Sequence, residues 1–377
     1  MITAETVFNA FINANIMLIF AYFLWSFTRY ILKKFKAPLA YVMQLRLLNG
    51  MFLAIALSPL AVFALAVFMQ VGLISPSFSI SISDFAVAQF LHGNIEIKAT
   101  EFEKILGLRE TITQNILSLN TPASTFIVGL FVAGFSICLA SSLLHIFKLR
   151  AILRSCYQWR QFGDLKLLLS DTTFVPFSTR GFKTRYVVIP SGMLANSTDL
   201  KIVLHHEFQH MRQGDVEWEF IQEALRPLFF WNPVFLLWKR QVQKLRELAC
   251  DQVLISNKKL DALTYCECLL NVCSNSIRKD DRYSIALPAV PFVHIDQRPF
   301  GVSTQEFLKQ RVIAIVEPVR RKRLSRKAFR MLLLPSMALV ILTSLVLQEA
   351  ADWSQDRLML STIVNLERLE ARNSVTP

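Results

Sequence analysis

Four stretches of this chain carry no charged side chain and approach the length of a bilayer: residues 7–28, 47–74, 124–144 and 331–348. A spanning helix needs about 20 apolar residues, because it rises about 1.5 Å per residue through a core about 30 Å thick. One such run could be a buried core helix. Four of them point to a multi-pass membrane protein. The composition agrees: 53% of residues are hydrophobic, only 18% are charged, and mean hydropathy is +0.39. The N-terminus has no basic leader region and no small-residue cleavage site, so the first span is expected to stay.

The charges between the runs set an orientation. Arg29, Lys33, Lys34, Lys36 and Arg46 follow the first run with no acid among them. Asp84, Glu96, Glu101, Glu103 and Glu110 dominate the second connection. Lys148, Arg150 and Arg154 follow the third run, and Arg320, Arg321, Lys322, Arg323, Arg326, Lys327 and Arg330 precede the fourth. Glu349, Asp352 and Asp356 follow it. The expected topology therefore has both termini outside and 149–330 in the cytoplasm, in the inner membrane of a bacterium. The net charge of +13 is then mostly juxtamembrane. It is read as contact with anionic lipid, so no direct nucleic-acid partner is expected. None of the six cysteines falls in an expected outer segment, which excludes a disulfide framework.

The expected organisation is a membrane domain over 1–148 with three spans and an outer loop at 76–121. A cytoplasmic domain follows over 149–330, then the fourth span at 331–348 and a short outer tail at 349–377. Within the cytoplasmic domain, 145–161 reads as a basic amphipathic helix, and 165–169 and 185–190 as strands. Residues 176–182 read as a turn-rich connection. Ser197 or Thr198 is expected to cap a helix ending near Gly214. Residues 227–238 are uncharged but too few to span; core, interfacial and substrate-wall readings compete, and the aromatics and two prolines favour a membrane-interface or re-entrant placement. Helices are expected over 234–256, 261–274 and 305–316, and an exposed loop over 277–303.

The chemistry lies in the first of these helices. His206-Glu207-Phe208-Gln209-His210 reads HExxH. Residues four apart share a helix face, so both imidazoles can meet one metal, with Glu207 beside the open position as general base. Downstream, Arg246-Glu-Leu-Ala-Cys-Asp251 places Glu247 and Asp251 four apart. Glu247 is the expected third ligand of a Zn2+ ion, with Asp215 as the alternative. Asp251 is expected to accept a hydrogen bond from a ligand imidazole. Arg246, Arg240 and Tyr265 are candidate oxyanion donors. His205 points elsewhere, and Cys266, Cys268 and Cys273 read as core.

His206 to Asp215, then Trp231-Asn232-Pro233, then Arg246 to Asp251 resemble the BlaR/MecR family of membrane zinc metallopeptidases, sensor-transducers of beta-lactam resistance. The resemblance implies four transmembrane helices with an inserted α+β, gluzincin-like peptidase domain. It implies His206, His210 and Glu247 as ligands, Glu207 as base, and residues 186–194 as the edge strand and turn lining the cleft. It also implies action on a winged-helix repressor, and self-cleavage, which the loop character places within 277–303. A homodimer stays open. The chain departs from beta-lactam receptors after the fourth span: only residues 349–377 follow, with no Ser-x-x-Lys, so acylation by a beta-lactam is not expected. The competing functions are a quality-control protease resembling the HtpX and Ste-type enzymes, and a non-catalytic membrane receptor or scaffold. The intact Glu207 argues against the last.

Overall fold

The computed structural model describes residues 4–34, 39–73, 82–181, 183–256, 260–278, 289–292, 304–316, 326–346 and 355–373. Helices α1 (Ala4–Lys34), α2 (Tyr41–Gln70) and α5 (Pro122–Ser155) are long and apolar enough to cross a membrane. The fourth uncharged run lies in α11 (Arg326–Val346), and its apolar part is Phe329–Ser344. That part reaches roughly 24 Å, short of a core about 30 Å thick.

The chain divides into two compact units, one of residues 1–26, 50–133 and 328–377, the other of 27–49 and 134–327. In the first, α3 (Ile82–Leu91), α4 (Ala99–Ser118) and α12 (Gln355–Asn373) share an apolar cluster of Val87, Ala99, Phe102, Leu360 and Val364. Phe90 stacks on Phe102 at 4.5 Å, and the Glu367 carboxylate accepts from the Thr100 amide at 2.9 Å. The C-terminal tail is thus largely a helix packed on the helices of the second connection. Gly50 of α2 leaves the space into which Leu333 of α11 fits.

The second unit is built on a five-stranded mixed sheet of order β1-β2-β4-β3-β5. β1 (Tyr157–Phe162) and β2 (Leu165–Ser170) form a hairpin through Gly163, whose φ of 58° suits glycine. β2 runs parallel to β4 (Arg185–Pro190). β3 (Phe177–Arg180) pairs antiparallel with both β4 and β5 (Ala289–Pro291). Successive strand residues face opposite sides. Leu167, Val187 and Ile189 pack with Met211 and Val216 of α6 (Ser197–Gln213) and α7 (Asp215–Leu225). Leu168, Val188 and Phe177 pack with Leu149 near the end of α5. Both faces are covered, which is why the Val-Val-Ile run of β4 is continuous rather than alternating.

Four expectations change. Residues 145–155 continue α5 without a break, and 157–161 belong to β1, because its aromatic residues find a hairpin partner in β2. Residues 177–180, expected in a turn, form β3 between two partners. Part of the expected 277–303 loop is β5, with Phe292 after it fully buried; the remainder of 279–303 lies outside the described residues. The cap of α6 is Asn196, whose side-chain oxygen accepts from the Thr198 and Asp199 amides at 3.1 and 3.2 Å. Gly214 ends α6 in the left-handed region at φ 76°, as expected.

Asn196 satisfies two of the orphan amides of α6. Asn196→Ala is expected to destabilise the second unit by about 1 kcal/mol, and Asn196→Asp to preserve it, in thermal unfolding of the full chain in detergent.

Candidate metal centre

α6 carries His206, Glu207 and His210 with no solvent exposure. The two Nε2 atoms lie 2.9 Å apart. α8 (Pro233–Ser256) brings the fully buried Glu247 to them, 3.4 Å from His206 Nε2 and 3.6 Å from His210 Nε2.

The outer nitrogens assign the protons. Tyr265, on α9 (Ala262–Arg278), donates its hydroxyl proton to Asp251 Oδ1 at 2.5 Å, so it accepts from His206 Nδ1 at 2.8 Å. His210 Nδ1 donates to Asp215 Oδ2 at 2.7 Å. With both protons on Nδ1, the facing Nε2 atoms present lone pairs to each other and to a carboxylate. Three acceptors converge with no proton between them, an arrangement a cation relieves. Zinc ligands about 2.0–2.1 Å from a tetrahedral ion stand about 3.3 Å apart, close to these separations.

Cys250 Sγ also lies within 4.8 Å of ligand atoms of both imidazoles and is the alternative third donor. Its sulfur sits on the Nδ1 side of His206, at 3.4 Å, and leans on the His206 carbonyl at 3.5 Å. Burial pushes the thiol well above its ordinary range, which keeps it neutral. Glu247 is the better fit on both counts.

Asp251 differs from expectation. Its carboxylate is 3.6 Å from His206 Nδ1, too far for a hydrogen bond, and Tyr265 stands between. Asp215 is the acid that holds an imidazole directly, on the side away from the Nε2 pair. Tyr265 is committed to Asp251 and His206, and Arg246 Nη2 donates to Glu219 at 2.8 Å. Tyr265 is thereby occupied, whereas Arg246 Nη1 has no hydrogen-bond partner among the described residues. Arg240 stands seven positions before Glu247 on α8, about 10 Å along the axis. His205 Nδ1 donates to the Lys201 carbonyl, 2.7 Å away, outside the centre. Cys266, Cys268 and Cys273 lie in the apolar core, as expected. β4 is interior, so residues 186–190 form no edge strand; among the described strands the edges are β1 and β5.

Sequence reasoning missed Arg311. On α10 (Thr304–Val316), 1% exposed, it grips both carboxylates of α8. Its Nε and Nη2 donate to Asp251 at 2.8 Å each, and Nη1 stands 3.1 Å from Glu247 Oε2 and donates to the Phe292 carbonyl at 2.6 Å. The Phe292 ring meets His206 edge-on at 4.7 Å. Ser178 of β3 was missed as well: its hydroxyl donates to Glu207 Oε2, while Glu207 Oε1 has no hydrogen-bond partner among the described residues.

These surroundings separate the carboxylates. Burial pushes Glu207 up to about 7. Burial acts on Glu247 too, but Arg311 and the imidazoles outweigh it and hold Glu247 far below the carboxylate range. Burial and the neighbouring His210 lower His206 to about 4, so the ring is neutral at neutral pH and carries a single proton. Burial pulls His210 down, but Glu247 and Asp215 outweigh it and raise it.

A family model described as BlaR1 peptidase M56 matches residues 9–298. No curated protein matches the chain. Arg311 lies beyond the matched stretch. Arg311→Met would leave two buried carboxylates without their cation, and is expected to lower stability by about 3–5 kcal/mol in thermal unfolding, with Arg311→Lys only partly restoring it.

Proposed function

The chain belongs to the BlaR1 peptidase M56 family, and we propose that it is a zinc-dependent membrane endopeptidase that transmits a signal by cutting a cytoplasmic repressor-type protein, itself, or both. The observation that carries the chemistry is the convergence of His206 Nε2, His210 Nε2 and the Glu247 carboxylate, all fully buried, where α6 meets α8. These three residues are the proposed ligands. Bound there, zinc supplies Lewis acidity to the attacked carbonyl and to the attacking water.

The chain's own groups do the rest. Tyr265 and Asp215 keep each imidazole proton on Nδ1, so both Nε2 lone pairs stay available. Arg311 keeps Glu247 ionised in an apolar setting and donates two hydrogen bonds to Asp251. Glu207 takes the proton of the attacking water and passes it to the departing amine. Burial holds Glu207 near neutrality, so it can both accept and release a proton. The Ser178 hydroxyl fixes one of its oxygens and leaves Oε1 for the water.

Purified full-length wild type and Glu207→Gln test this. Equal zinc content with loss of substrate or self-cleavage is expected; equal cleavage by the two would overturn the assignment. Comparing the proteins cleaved in cells carrying either form separates a regulator, with few substrates, from a quality-control protease with many.

The charge distribution supports an inner-membrane protein with four spans, both termini outside and the metal centre in the cytoplasm. The short apolar part of α11 is the weakest of the four, and its arginine-rich approach favours a span starting at the cytoplasmic face. Reporter fusions at residue 90 and beyond residue 360 are expected to read outside, and fusions near 285 inside. The reverse pattern would put the metal centre on the wrong side for a cytoplasmic repressor.

A further inference from the structure

Residues 227–238 hold no charged side chain, yet Glu223 and Arg226 precede them and Lys239 follows. They fold as a 3-10 turn (Arg226–Phe229), a bend at 230–232 and the first turns of α8. Half of the side chains enter the protein: Phe229 stacks on Phe235 at 5.4 Å, and Trp238 is fully buried. The other half faces outward. Leu228, Trp231, Leu236 and Leu237 are 43, 46, 46 and 44% exposed. Four large apolar side chains on one bend would be an aggregation liability in water.

Contacts within the second unit give the depth of this bend along α5. The Phe230 ring lies so close to Gly134 that any side chain there would overlap it. The run 122–147 of α5 is uncharged, and Gly134 is its midpoint, since 134 − 122 = 12 and 147 − 134 = 13. Further along, Ser142 Oγ donates to Glu223 Oε1 at 3.5 Å. Ser142 is about 12 Å beyond Gly134 on the helix axis. The apolar bend therefore reaches the middle of the span, and its charged base sits near the end of the apolar run.

The base is neutralised internally. Lys239 Nζ stands 3.2 Å from Glu219 and 2.5 Å from Glu223; Arg226 pairs with Glu223 and Arg246 with Glu219, each at 2.8 Å. The backbone of the bend is also served from within. The Asn232 amide donates to the Phe229 carbonyl at 3.0 Å, Phe235 to the Asn232 carbonyl at 3.1 Å, and Val234 to the Asn232 side chain at 3.0 Å. Non-helical backbone survives at membrane depth only where such partners exist.

We propose that residues 227–238 form a re-entrant wedge, with Leu228, Trp231, Leu236 and Leu237 against the lipid acyl chains of the leaflet that α5 leaves at Lys148. The occupant of this face is lipid, because Phe230 of the same bend packs on Gly134 at the middle of α5, a membrane-length helix whose own side chains are almost all unburied. Glu247 is 14 residues beyond Pro233, at most about 21 Å along α8. Half of a hydrocarbon core is about 15 Å, so the metal centre stands no more than roughly 6 Å outside its boundary. Resting on the peptidase reading, this selects as substrates polypeptide segments held at the membrane surface.

Tryptophan quenching by lipids with brominated acyl chains tests the wedge on the full-length protein in vesicles. The wild-type signal minus that of Trp231→Phe isolates Trp231; Trp159→Phe isolates Trp159, in β1, as the control. Trp231 fluorescence is expected to be at least halved relative to unbrominated vesicles, with Trp159 unchanged. A Trp231 signal quenched no more than that of Trp159 overturns the proposal, and is the result expected if a protein partner covers the face. The measurement needs no zinc and no proteolysis, so failure of the wedge and failure of the peptidase assignment remain distinct.

Discussion

Glu247 and Asp251 lie one helical turn apart on α8, 0% and 1% exposed. Two carboxylates in an apolar interior are tolerable only if cations and donors meet them there. Everything around α8 answers that demand. α6 turns two imidazoles toward Glu247, α9 offers the Tyr265 hydroxyl to Asp251, and α10 inserts Arg311 between the two acids. The apolar cluster of Ile202, Val203, Cys250, Leu254, Leu269 and Ile315 draws on the same four helices. This cluster and the candidate metal centre are therefore built from the same helices, and the loss of Arg311 disturbs both.

The sheet contributes the other half of the site. β3 sits between β4 and β5, and Ser178 points from it to Glu207. α6 is thus held from two sides. One neighbour, α8, faces its histidines; the other, β3, faces its glutamate. This division gives the three adjacent polar residues of one helix separate tasks. The histidines keep unprotonated nitrogens toward Glu247, and Glu207 keeps a carboxylate whose proton affinity is raised by burial.

Long elements were legible in the sequence, and short ones were not. The apolar lengths of α1, α2 and α5, the Gly214 stop of α6 and the apolar run of β4 are all local signals. β3 has four residues and β5 three, and neither has a pattern of its own. They are strands because β4 offers an edge and β3 then offers another. Their appearance moves β4 from an edge to the interior. The cap of α6 lies one or two residues before the expected Ser197 or Thr198 because Asn196, Ser197 and Thr198 are all competent caps. Only the backbone conformation at Asn196, φ −115° and ψ 98°, selects among them.

By itself the sequence determined that this chain has membrane-length helices and that His206 and His210 share a face with Glu207 between them in the chain. Both follow from composition and from the 3.6-residue period, which act over a few turns. Tertiary structure alone decided the rest. Arg311 reaches Asp251 across 60 residues, and Tyr265 reaches His206 across 59. Cys250 and Glu247 lie three positions apart on one helix, yet the carboxylate meets the open nitrogens and the thiol meets the occupied one. The face that α8 turns toward α6 settles that choice, and how one helix packs on another is a property of the tertiary core.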